Sequence, residues 1–432
     1  MSKLYNTMLT LAFVNQTVTH DSLKALNASE SFSEQMIKKA VEEKHLRVKT
    51  VKIKKRAASF TEKIYTTTPA GIRYLIDNCD IGWINTIDPK NTKNLAAFDV
   101  SARTSKRANR MAQISEAKIM SELAGAESFF LIHDSSSNDA ISLDEDIIAE
   151  NDDVGIYDSG NGSQNFTTYT QLIMSCPEID ENIQRQFIID YNRSSGLPND
   201  YLRFVDCIRL KQLFVSEMTG SDLAFFKRCS FQGILDSYYK TVLIYSIHTI
   251  GLPWSKWKFQ SESTILTWWR ANHALTEKKR SYYSGLSGVL FVKNARQFHN
   301  AYFDVVHVRK EKLGEGLNHF YVVPKTCEGA SHLRFLMLTD DKEYNETIKT
   351  ELLETGMYSL NENDPYDAFP LCNLATGNPA VILPQMDIIQ MQTLQLKCEI
   401  SNVKSFDIIC FEWQMDYYNR VFPHATAISS LY

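Results

Sequence analysis

The sequence predicts an α+β protein: a small head of three helices, a hairpin and a further helix, then a long helix, then a larger mixed α/β domain. Three observations predict it. Apolar residues recur at helical spacing up to Glu42 and at strand spacing from Leu46 to Thr66. Charge is segregated, with 20 Lys or Arg against 13 acids in residues 1–133 and 26 against 38 in residues 134–432. From about Asn165 onward, short β-type runs are interspersed with helical ones. At 432 residues, 44% hydrophobic and 22% charged, the chain has room for two or three domains of ordinary globular composition.

The head follows in order. Leu4, Met8, Leu9, Leu11 and Ala12 place a first helix over Leu4 to Val14. After the polar break Asn15-Gln16-Thr17, Thr19 is placed to cap a short second helix holding Leu23 and Leu26. Ser31, with Glu34 three residues on, has capping-box spacing and opens a third helix. There Phe32, Met36, Ile37, Ala40 and Val41 share one face, and Gln35, Lys38, Lys39 and Glu42 share the other. Leu46 to Ile53 and Phe60 to Thr66 read as the arms of a hairpin with Lys54-Lys55-Arg56 at its tip. Thr68-Pro69 starts another helix, with proline at the first position where its missing N–H is not needed.

This order is that of a winged helix-turn-helix over residues 1–80. Residues 35–63 hold ten Lys or Arg against three acids, a net of +7. Cations at that density release counterions from a duplex backbone. The third helix would enter the major groove, where Gln pairs with adenine and Lys with guanine. The candidate DNA contacts are Ser33, Gln35, Lys38, Lys39 and Glu42 on the helix, and Lys52, Lys54, Lys55, Arg56 and Lys63 on the wing. Residues 81–133 are expected to form a connecting basic helix, from about Asn94 to Leu123, stopped by Gly125. Arg103, Arg107 and Arg110 share one face of it, suited to phosphate contact or dimerisation.

Residues 134–164 are an acidic linker or loop with no Lys or Arg before residue 160. Residues 165–432 read as a mixed α/β domain. Helices are expected at Tyr201 to Phe214 and Ser263 to Asn272, among others. Strands are expected at Thr241 to Thr249, Val289 to Val292, Phe303 to Val308, Phe320 to Val323, Leu333 to Leu338, Ala380 to Leu383, Leu394 to Ile400 and Phe406 to Phe411.

Chemistry is sparse there. A metal-dependent nuclease places an acid at one strand start and an acid-x-Lys on the next. Asp387, Lys397 and Glu399 lie near a strand pair, but Lys397-Cys398-Glu399 reverses that order, and Asp304 and Asp407 are isolated. His299, His307, His319 and His332 form no His-x-His pair. The cluster of Trp254, Trp257, Trp268 and Trp269 reads as a core edge rather than a base-stacking platform. The eight cysteines include no CxxC pair, in keeping with reduced thiols in a cytoplasmic protein. No signal peptide or membrane span is read, and no catalytic residue, metal site or cofactor is assigned.

The head resembles those of bacterial regulators and of replication-relaxation-type proteins, which occur on plasmids and integrated elements of Gram-positive bacteria. The resemblance covers roughly residues 4–80 and is one of pattern. It implies regulation of transcription or replication on a mobile element and carries over no catalytic residue. The expected activity is sequence-specific binding of double-stranded DNA, with a C-terminal domain that either dimerises, so that two half-sites are read, or binds a protein partner, or holds a regulatory ligand. Two alternatives stand beside it. One is a metal-dependent nuclease or replication initiator that uses the head for targeting. The other is a protein-interaction inhibitor that uses the acidic segment.

Overall fold

The computed structural model describes residues 3–14, 18–20, 30–55, 58–78, 105–133, 164–168, 200–207, 210, 231–246, 286–308, 317–362, 364 and 367–431. The chain is α+β. At its N-terminal end α1 (Lys3–Val14), β1 (Val18–Thr19), α2 (Glu30–Glu42), β2 (Leu46–Lys55), β3 (Ala58–Thr67) and α3 (Pro69–Asn78) form one unit. Its three strands run in the order β1-β3-β2, antiparallel throughout, with Val18 opposite Tyr65 and Leu46 opposite Thr67.

Local chemistry explains the joints of this unit. Helix α2 ends where Lys44 turns left-handed at φ 61°, and the His45 N–H reaches back to the Ala40 carbonyl at 2.8 Å. Thr68 caps α3 by accepting from the Gly71 N–H at 3.1 Å, with Pro69 in the first helical position. Gly71 is required by close approach, because a Cβ there would lie 2.3 Å from the His45 carbonyl oxygen. Tyr5, Met8, Leu9 and Ala12 of α1 pack with Met36, Ile37 and Ala40 of α2, Leu46, Tyr65 and Leu75. The periodicity placed these helices correctly. Thr19 closes the two-residue strand β1 and His20 directly after it is helical, while Leu23 and Leu26, expected on that short second helix, lie outside the described residues.

Helix α4 (Ser105–Leu123) joins the head to the rest. Ile119 enters the head core. Ala117, Met120 and Ala124 enter a second core, and Ile114 a third. Polar residues are buried with them. Lys118 pairs with Asp206 at 3.0 Å, and Glu116 pairs with Lys325, both partners of the latter pair being 7% exposed.

The larger sheet holds β4 (Glu127–His133), β5 (Gln164–Thr168), β6 (Leu202–Asp206), β7 (Phe231–Ser237), β8 (Thr241–Ser246), β9 (Leu286–Val292) and, after α5 (Ala295–Val308), β10 (Leu317–Pro324). Its order is β10-β9-β8-β7-β6-β4-β5, with β8, β9 and β10 parallel. Helices α6 (Cys327–Leu338) and α7 (Asp341–Glu354) follow. Then come β11 (Tyr358–Leu360), β12 (Leu371–Asn373), β13 (Pro379–Ile382), α8 (Ile388–Ser401), β14 (Phe406–Phe411), α9 (Met415–Val421) and β15 (Ala425–Leu431). These five strands form a second sheet in chain order, parallel from β13 to β15.

Strand alternation sorts the side chains into layers. Phe204, Leu235, Val242, Ile244, Val289 and Phe291 face α4 and α6. Val205, Ile234, Leu243, Leu290 and Val292 face the opposite way, into a core shared with α5, α8, α9 and with Val381, Phe406 and Ile408 of the second sheet. The far side of the second sheet, including Leu371, Ala380 and Ile409, meets Leu352 of α7. The two sheets therefore share one apolar core built around α5, α8 and α9.

Four expectations are corrected. Phe303 to Val308 lies in α5, Leu333 to Leu338 in α6 and Leu394 to Ile400 in α8, whereas Leu202 to Asp206, inside the expected helix at Tyr201, is β6. A buried apolar run carries no period that separates helix from strand. The decisive signals were the flanking caps. Thr326 accepts from the Gly329 N–H, and Asp387 accepts from the Ile389 N–H. β6 is buried at every residue, so its pattern did not alternate.

Two substitutions test this packing. Gly71→Ala should destabilise the protein by about 1–3 kcal/mol in urea melts, because backbone cannot yield to the new methyl. Glu116→Ala should lose about 3–5 kcal/mol by leaving Lys325 buried without its carboxylate, and Glu116→Leu combined with Lys325→Met should recover most of it.

Candidate nucleic-acid interface

Helix α2 turns a clean polar face outward. Gln35, Lys38, Lys39 and Glu42 are exposed, whereas Met36, Ile37 and Ala40 are buried behind them. Lys38 lies 3.9 Å from Glu42, with both side chains mostly exposed, and Lys39 lies 3.7 Å from Glu43. Exposed pairs of this kind contribute about 0–1 kcal/mol and are readily exchanged for another anion. Glu43 is held more firmly. It accepts from the Tyr5 hydroxyl at 3.1 Å, and Tyr5 also bonds His45 Nδ1 at 2.8 Å. His45 in turn stacks on Tyr74 at 4.5 Å. Burial pulls the His45 imidazole below its ordinary value, against the opposing pull of Glu43. Burial, with Glu43, pushes the Tyr5 and Tyr74 phenols up. This cluster fixes the C-terminal end of α2 against α1 and α3.

The hairpin extends the basic character. Lys63 is exposed on β3, opposite Thr50. Lys52, Lys54 and Lys55 occupy β2 opposite Thr61, Ser59 and Ala58. Their side chains, like those of Ser33 on α2 and of Arg107 and Arg110 on α4, lie outside what the structure describes, and Arg56 and Arg103 lie outside the described residues altogether. Lys44 and Arg47, counted in the sequence but not singled out, are exposed just beyond the end of α2. The tight α2–β2 turn at Lys44 brings them within a few residues of the end of that helix.

The acids weighed for a nuclease are held apart in separate structural roles. Asp387 caps α8. Asp407 accepts from the Asn373 and Asn378 side-chain amides at 2.8 and 3.1 Å, pinning the β12–β13 turn. Lys397 and Glu399 lie on α8, where Lys397 donates to the Asp367 carbonyl at 3.1 Å, and Asp304 lies on α5. Among the described residues no group of three His, Cys, Asp or Glu is placed to hold a metal ion. The described cysteines Cys207, Cys327, Cys372, Cys398 and Cys410 form no disulfide with one another, and no described helix is long and apolar enough to cross a membrane. Trp254, Trp257, Trp268 and Trp269 lie outside the described residues.

Among the described histidines of the body, His332 is the one burial shifts furthest. It is 4% exposed, with Trp413 at 4.9 Å and Phe335 at 5.8 Å, and neither ring nitrogen has a hydrogen-bond partner of normal geometry. Burial, helped by the charge of Lys240 and resisted by the Gln385 backbone, takes it down to about 3.

Comparison with protein-family models, curated proteins and solved structures finds no match to this chain.

A depressed imidazole has a definite pH consequence. The unfolded chain takes up a proton near pH 6.5 that the folded chain refuses until about pH 3, so stability present above 6.5 is lost as pH falls through that window. Between pH 6.5 and roughly pH 4.5 the loss from His332 should be about 2–3 kcal/mol. His332→Leu should leave stability at neutral pH unchanged or slightly raised, and should flatten that acid slope in urea melts.

Proposed function

We propose that this chain binds double-stranded DNA sequence-specifically through its N-terminal unit, acting as a winged helix-turn-helix, and regulates transcription or replication of a plasmid or other mobile element. One observation carries the reading: a helix with an exposed Gln-Lys-Lys-Glu face, clamped by its buried side, beside an antiparallel hairpin rich in lysine. The pairing of β1 with β3 supports it, because the strand before α2 and the hairpin after it then hold that helix on a common sheet. In this reading α2 supplies base contacts through Gln35 and Lys38, and the hairpin supplies backbone contacts through Lys52, Lys54, Lys55, Arg56 and Lys63. Arg103, Arg107 and Arg110 would add phosphate contacts or serve a homodimer that spans two half-sites.

Selection from a randomised duplex pool followed by titration tests this. Replacing Lys54, Lys55 and Arg56 with Ala should weaken binding to every duplex and lower the slope of log K against log salt by about 2–3. Gln35→Ala or Lys38→Ala should instead blur sequence preference, by about 1–3 kcal/mol at the contacted base pair. A parent protein that enriches no sequence, or a triple variant that binds like the parent at every salt concentration, overturns the assignment.

A further inference from the structure

Strand β10 is an edge of the larger sheet, and its first half is where the second sheet is attached. Its register with β9 slips between Leu317 and His319, an irregularity that re-aims side chains. His319 bonds through Nδ1 to Asp387 Oδ2 at 2.8 Å. The same carboxylate, almost wholly buried, accepts from the Phe320 N–H at 2.8 Å and from the Ile389 N–H at 2.9 Å. The Val322 N–H completes the seam by reaching the Met386 carbonyl at 3.1 Å. One aspartate thus holds the edge of the first sheet, the N-terminus of α8 and an imidazole together.

The surroundings of that imidazole set its charge. The Tyr321 ring stacks on it at 5.5 Å, and the Tyr321 hydroxyl donates to Asp341 at 2.5 Å. Asp341 pairs with the fully buried Lys240, whose ammonium lies 5.0 Å from the Tyr321 ring centroid. Asp340, the cap of α7, adds a further carboxylate near Lys240. Across β9 the register partner of His319 is the uncharged Ser287. The charged or titratable groups that act on His319, among the described residues, are therefore Asp387, Asp341 and Lys240, with the Tyr321 ring stacked on it. Asp387 and Asp341 share one basic neighbour, Lys240, which burial pulls below its ordinary value against the charge and hydrogen bond of Asp341. A second positive charge balances them, and His319, whose side chain is 32% exposed, is the group that solvent protons can reach.

We propose that this seam is a proton-operated latch: His319 with its proton tightens the hold of Asp387 on β10 and the start of α8, and loss of the proton loosens that hold, leaving the Phe320 and Val322 backbone bonds to keep the edge in place. Burial alone pushes the His319 imidazole down, but the hydrogen bond and charge of Asp387, with the charge of Asp341, outweigh burial and Lys240 and hold it above its ordinary value. The clamp is accordingly at full strength below the unfolded value near pH 6.5 and fades as pH rises through the folded one.

Hydrogen exchange of the full chain, read by mass spectrometry from about pH 6 to about pH 8.5 and corrected for chemical exchange, tests the latch. Peptides covering residues 317–324 and 385–391 should open several-fold more often at the upper end in the parent, while peptides from α7 and β11 stay unchanged. His319→Gln, and Asp387→Asn, which keeps a capping oxygen, should both abolish the pH dependence at the seam. Parent peptides that open equally at every pH, loosening of the whole molecule alike, or His319→Gln retaining the parental dependence overturns the proposal.

Discussion

The burial of helix α4 is the constraint on which the arrangement of the other layers depends. Its residues enter three separate apolar cores, the head's through Ile119, the outer layer's through Met120 and the inter-sheet layer's through Ile114. From Gln113 to Ser121 every residue of this helix is buried, and Glu116 and Lys118 are carried into the interior with the rest. Each is acceptable there only because an opposite charge waits for it: Lys325 directly after β10, and Asp206 at the end of β6. Such pairs add little net stability over apolar residues of the same volume. Their value here is register. A slip of α4 by one residue would swing both charges away from both partners at once.

That register decides how the head meets the body. On the proposed reading, α2 presents its face to a duplex from a platform that is packed against the larger sheet through α4 rather than trailing from it. A rigid platform favours one approach to a binding site and lowers the entropy lost on docking.

Much of the head was legible in the sequence because its signals are local. The period of Met36, Ile37 and Ala40 and Thr68-Pro69 ahead of α3 act within one or two turns of helix, whereas Ser31, expected to open α2, lies inside a helix that begins at Glu30. The exposed residues of α2 were legible for the same reason. The two-residue strand β1 was not, since it exists only through pairing with Tyr65 and Ile64, more than forty residues away. In the body, the apolar runs of α6 and α8 resembled strands, and the cap that defines α8, Asp387, was weighed as a catalytic acid because an isolated aspartate looks the same in either role. Its partners, Phe320 and His319, lie far off in sequence. No spacing rule links Glu116 to Lys325 or Lys240 to Asp341, so the polar interior became visible only in three dimensions.

The Glu116–Lys325 pair spans 209 residues of chain, and this bears on how the protein is made. A ribosome adding about 5–20 residues each second needs on the order of 10–40 s to travel from one partner to the other. Throughout that interval the N-terminal helices have left the exit tunnel, but α4 lacks both the cation and much of the sheet that let it leave water. The segment synthesised first is therefore among the last to be finished, and nascent chains stalled before Lys325 would leave the apolar side of α4, with Ile114, Ile119 and Met120, open to chaperones.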